Sequence, residues 1–262
     1  MDDVTMFQTL LAHLWRGGST GYYWLESQPS QHDASEDSKP TTQSETFWCD
    51  SDVGTLPDIQ QKGRYSHWHF FFSVNPTNGI PVRFNDDGSH KNSKYYRAKK
   101  EDVAAVNCLF SDIDDKTKIF TLDTLPIAPS AVIESSPGKY HCYWLLKETY
   151  YITNKEEMEY IRGIQFAWAT MLNVADLQAK DITRVLRVPG TKNVKLQYRK
   201  PAYPVARFVD EYTDLTRLYS LDELVAECKA FIPSDGPKRE LKDNPDIYKD
   251  RVVAYANEAL KG

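Results

Sequence analysis

The chain predicts a fold of the α+β class (mixed α/β). Short apolar and aromatic runs of strand character alternate with segments of helical period, and a Pro-Gly turn joins two adjacent apolar runs as a hairpin. The sequence has no internal repeat. At 262 residues, 41% hydrophobic and 26% charged, it can bury a substantial core as one large domain or one domain plus a tail.

Residues 1–16 read as a helix, since Phe7, Leu10, Leu11 and Leu14 recur at helical spacing and Gly17-Gly18 end it. Its acidic opening lacks the basic flank and small-residue cleavage site of a signal peptide. A strand is expected at 21–26, followed by Ser, Thr, Asp and Pro without periodicity, so 27–62 is taken as an exposed loop or insertion. The aromatic run at 66–76 is a strand bounded by a turn, and the basic "KYYRAKK" at 94–100 follows turn-rich sequence. Strands are expected at 104–114, 130–136 and 140–146. A helix over 155–172 has Thr153 or Asn154 as its cap and acids in its first turn. Residues 179–193 mix helical and turn character, 203–212 read as a strand, and 220–232 read as a capped helix. The charged remainder, 233–262, reads as a helical tail or linker.

Several function classes are disfavoured. No apolar run approaches the ~18 residues of a membrane span, so no membrane partner is expected. Cys49, Cys108, Cys142 and Cys228 are widely spaced without a CxxC or Cys/His cluster, so we expect no structural zinc, and reduced thiols in a cytoplasmic setting. The net charge of -5 argues against indiscriminate nucleic-acid binding but leaves room for a local basic groove.

The chemistry concentrates in three motifs. In "FSDIDDK" strand alternation places Asp112 and Asp114 on one face, where two carboxylates can clamp hard divalent cations. Read alone, the same motif also describes a solvated strand end. In "ESSPGKYHCYWLL" the tight turn from Ser135 to Gly138 is followed by Lys139 and His141 on one strand face, both able to meet phosphate oxygens. An isolated strand histidine is more often a satisfied, half-buried one. In "DITRVLRVPGTKN" Arg184 and Arg187 are three apart, which on a helical turn puts both on one side. Arginine recognises phosphate with two parallel hydrogen bonds, and Asp181 could complete a carboxylate trio. Alone, that segment also reads as a surface helix with ordinary ion pairs. Taken together, three acids, a Lys/His pair and an Arg pair are the parts needed for nucleotidyl transfer.

In that order, the three motifs resemble those of the archaeo-eukaryotic primase superfamily, in its RepB-like and primase-polymerase branch from mobile genetic elements. The similarity runs over 66–212. The resemblance implies an RRM-like, antiparallel-rich catalytic sheet packed with a smaller N-terminal α/β module, with 1–232 as the catalytic domain. It implies Asp112, Asp114 and Asp181 as catalytic ligands of a two-metal Mg²⁺ or Mn²⁺ site. Ser136, Lys139, His141, Arg184 and Arg187 would bind the nucleotide. Lys139 stands where much of the superfamily has a small serine, and Ser136 would take that serine's place. Asn193 and Lys195 would contact phosphate or template, while Tyr96, Arg97 and Lys99 suit base stacking and backbone tracking.

The implied activity is a DNA primase-polymerase that makes and extends primers on a single-stranded DNA template from NTPs or dNTPs. A helicase domain or protein is the partner that the family's usual company implies. Two alternatives stand beside it: a non-catalytic replication-initiation DNA-binding module, and a glycosyltransferase whose D-x-D holds Mn²⁺ and a nucleotide sugar.

Overall fold

A computed structural model of the chain describes residues 2–14, 23–29, 45–49, 68–77, 98–114, 122–172, 181–198 and 202–232. In chain order its elements are α1 (Asp3–Leu14), β1 (Tyr23–Pro29), β2 (Glu45–Cys49), β3 (Trp68–Ser73), β4 (Ala105–Ile113), β5 (Ala131–Ser136) and β6 (Lys139–Tyr151). These are followed by α2 (Lys155–Leu172), β7 (Val185–Arg187), β8 (Arg207–Phe208) and α3 (Leu221–Cys228). The strands form two four-stranded sheets, in the orders β2-β1-β3-β7 and β4-β6-β5-β8. Every ladder within them is antiparallel.

Alternation along the strands divides the interior in two. Cys108 and Phe110 of β4, Ile133 of β5, and Tyr143 and Leu145 of β6 face Phe70 and Phe72 of β3 and Leu186 of β7. The buried stripe of α1 joins them, with Phe7 edge-on to Phe72 at 5.1 Å between centroids. Residues of opposite parity, such as Leu109, Cys142 and Trp144, meet Ile161, Ile164 and Trp168 of α2 and Leu224 of α3. The second sheet is therefore covered on both faces, which explains why its strands read as near-continuous apolar runs.

Local chemistry sets the element ends. Asn154 caps α2, its Oδ1 accepting from the Glu157 N–H at 2.8 Å. Ser220 and Glu223 form a reciprocal capping box at the start of α3. The β5–β6 hairpin turns through Pro137 and Gly138, with Ser136 opposite Lys139 and Gly138 at φ 72°. Proline followed by a residue at positive φ is the signature of a type II turn.

The structure departs from the sequence expectations in four places. Strand β2 lies inside the segment expected as a loop, and β1 extends into it as far as Pro29. Strand β6 runs on to Tyr151, because Tyr150 and Tyr151 pair with Val106 and Ala105 past a bulge. The strand expected over 203–212 shrinks to Arg207–Phe208, since a 3₁₀ turn takes over at Asp210–Tyr212. Val185–Arg187 is strand rather than helical turn, with Arg184 just before it. Tyr96, Arg97 and the charged segment 233–262 lie outside the described residues. Among the described residues no helix is long and apolar enough to cross a membrane, and Cys108, Cys142 and Cys228 are free, buried thiols.

Candidate active site

The site forms where β4 ends. Asp112 stands opposite His141 in the β4–β6 ladder, so both side chains leave the sheet on the same face, and Asp114 and Lys139 continue the two rows. Lys139 forms an ion pair with Asp114. His141 Nε2 lies 3.7 Å from Asp112 Oδ1, and Arg184 donates to Asp112 Oδ2 at 3.0 Å. The side chain of Asp112 is 13% exposed and that of Asp114 47%, so the first carboxylate is enclosed and the second faces water.

Arg184 is aimed by backbone anchoring. The Val74 N–H donates to its carbonyl at 3.3 Å, and the buried Asn75 side chain donates to the Ile182 carbonyl at 2.9 Å. These bonds fasten the turn 181–184 to the end of β3. Asn75 went unnoticed in the sequence because its partner lies 107 residues away.

Arg184 ends the turn before β7 and Arg187 closes that strand, and the charges of both bear on His141. Arg187 pairs across the ladder with Phe71, and its guanidinium carbon lies 5.0 Å from the centre of that ring. It donates to Nδ1 of the buried His69 at 3.2 Å. Among the described residues Arg187 has no carboxylate partner. Burial lowers its pKa to about 10, which leaves the guanidinium charged at neutral pH. Its charge still reaches His141 and Asp112. Burial lowers His141 to about 4, against the opposing pull of Asp112, so the imidazole is neutral. Its Nδ1 is buried without a hydrogen-bond partner among the described residues.

Other predicted residues are placed differently. Asp181 is exposed and accepts from the Thr183 N–H at 3.0 Å; among the described residues no three acid, His or Cys side chains converge as a metal-holding group. Ser136 is buried, and its hydroxyl accepts from Tyr198 at 3.4 Å. Asn193 is buried as a bracket, donating to the Ser135 carbonyl and accepting from the Lys195 N–H, both at 3.4 Å. Lys195 is exposed. Lys99 is exposed, before the 3₁₀ turn that precedes β4.

Comparison with known proteins fits this geometry. The family model described as the RepB DNA-primase N-terminal domain matches residues 62–231. The chain belongs to that family. The RepB-primase match leaves no place for the glycosyltransferase alternative. A replication protein from Clostridium perfringens is 27% identical over 219 residues, covering 75% of this chain and 48% of its own. The RepB-primase chain thus spans about half the length of that curated relative. Among solved structures, the AEP domain of the cyanophage S-2L primase-polymerase aligns with a TM-score of 0.53 at 16% identity, covering 86% of this chain and 97% of its own. Primase RepB′ aligns with a TM-score of 0.50 at 13% identity, covering 98% and 68%. At such identities the likeness is one of fold, and the mixed helix and antiparallel-sheet architecture is that of these primases.

Proposed function

We propose that this RepB-primase domain is a metal-dependent nucleotidyltransferase that starts and extends primers on single-stranded DNA from nucleoside triphosphates. The observation that carries the reading is Arg187: a buried guanidinium with no acid partner among the described residues, electrostatically coupled to Asp112 and His141. A buried charge is costly unless it meets a counter-charge, and a triphosphate supplies one.

Asp112 and Asp114 would hold Mg²⁺ or Mn²⁺. Their donor chemistry fits, since two carboxylates at a strand end, together with substrate phosphates, are the hard oxygen set that Mg²⁺ prefers over an all-protein cage. Asp181, three residues before Arg184, is the proposed third ligand. A divalent ion there would acidify the attacking hydroxyl and offset charge on the departing diphosphate. Lys139 and Arg184, which neutralise the two acids, would turn to the triphosphate when it arrives. Neutral His141 has one ring N–H to offer a phosphate oxygen, and Ser136 sits at the same hairpin. Lys195, Tyr96, Arg97 and Lys99 are proposed template contacts; Asn193 would act by holding Lys195 in place.

The test is primer synthesis on single-stranded DNA with Mg²⁺ or Mn²⁺. Asp112→Asn and Asp114→Asn should each abolish incorporation while DNA binding persists. Full activity in both variants would overturn the proposal.

A further inference from the structure

We infer that His69 is a positioning residue for nucleotide binding, presenting Arg187 to the triphosphate as an aimed but un-neutralised cation. The inference rests on the reading of Arg187 given above and adds a residue to it.

Guanidinium has only donors, so the 3.2 Å contact makes His69 Nδ1 the acceptor and leaves the ring proton on Nε2. The chemistry of the pair thus fixes the tautomer. His69 and Phe71 are two apart on β3, and Arg187 lies across the ladder from Phe71. The guanidinium is therefore bounded by a ring beneath and an acceptor at one edge. A buried arginine is ordinarily held by a carboxylate, which fixes it in direction but cancels its charge. A neutral imidazole fixes the direction alone. It leaves the whole positive charge for an anion, and it does not compete with phosphate oxygens as a carboxylate would. Burial, followed by the charges of Arg187 and Lys195, lowers the His69 pKa to about 3, so the acceptor nitrogen stays unprotonated.

The experiment measures nucleoside triphosphate affinity and single-stranded DNA affinity of the full chain, with folding checked by circular dichroism. His69→Phe keeps the ring and removes the acceptor. His69→Asn places an amide oxygen near the position of Nδ1, and His69→Asp places a carboxylate there. Arg187→Met is the reference. Losing a hydrogen bond to a charged group should weaken nucleotide binding about ten-fold in His69→Phe, with DNA affinity unchanged. His69→Asn should restore most of it. His69→Asp, nearly the same shape as Asn, should not. If His69→Phe does not fold, the Asn/Asp comparison decides alone, and equal nucleotide affinity in that pair overturns the inference. Wild-type nucleotide affinity in a folded His69→Phe, alongside a loss in Arg187→Met, also overturns it and leaves the proposed function standing. Wild-type affinity in Arg187→Met would overturn both.

Discussion

Gln165 offers a quantitative test of how the catalytic strand is held. Strand β4 is an edge of the second sheet, so the outward N–H and C=O of Phe110 have no strand to pair with. The side-chain amide of Gln165, on α2, supplies both bonds: its Oε1 accepts from the Phe110 N–H at 3.3 Å, and its Nε2 donates to the Phe110 carbonyl at 2.7 Å. Both residues are 1% exposed, so water cannot replace the amide. Gln165→Leu keeps the shape and strands two buried backbone groups, each costing about 1–3 kcal/mol. We expect a loss of about 3 kcal/mol in urea unfolding at unchanged m-value, and a fall in Tm of roughly 10 °C. Gln165→Glu should be milder, because a buried carboxyl takes up a proton and then offers one acceptor and one donor, with a stability that falls as the pH rises. A loss under about 0.5 kcal/mol for Leu would refute the pseudo-strand role, since buried unsatisfied groups cannot be that cheap.

Two further outcomes follow from the same geometry. Lys139 occupies Asp114 in the absence of metal, so Lys139→Met should tighten nucleotide-free Mn²⁺ binding, measured by calorimetry; unchanged affinity would mean that the ion pair does not compete. His69, held neutral with its pKa lowered to about 3, resists a proton that the unfolded chain accepts near pH 6.5. Its contribution is therefore complete above that pH and shrinks as the pH falls, by about 2 kcal/mol between pH 7 and pH 5. Wild type should lose that much more stability than His69→Asn over this range, and a pH-independent difference would refute the assignment.

What could be read in the sequence was what depends on near neighbours. The bounds of α2 follow from its cap and apolar period, and the β5–β6 hairpin from its Pro-Gly turn, so Lys139 and His141 fell correctly onto one face. Strand β2 stayed hidden because its pairing with β1 is non-local and its surroundings are rich in Ser, Thr and Pro. That Val185–Arg187 is strand and not helical turn could not be read locally, because three residues are too few to show a period and only the pairing with β3 decides it. His69 looked like one more aromatic in a strand; its partner is 118 residues away. Gln165 resembled an ordinary polar position on a helix until an unpaired edge was laid beside it.

The N-terminal helix has a practical consequence for anyone trimming this protein. The matched family segment begins at residue 62, yet Met6, Phe7, Leu10, Leu11 and Leu14 are sealed into the space between the sheets. At ~1.5–3 kcal/mol apiece, those five side chains contribute on the order of 10 kcal/mol, comparable to the whole margin by which a domain stays folded. Removal would also strip Asn107 of the Leu14 carbonyl and the Phe208 amide of the Asp3 carboxylate. For this chain the boundary of kinship is not the boundary of self-sufficiency, and a recombinant fragment cut at the former should be insoluble.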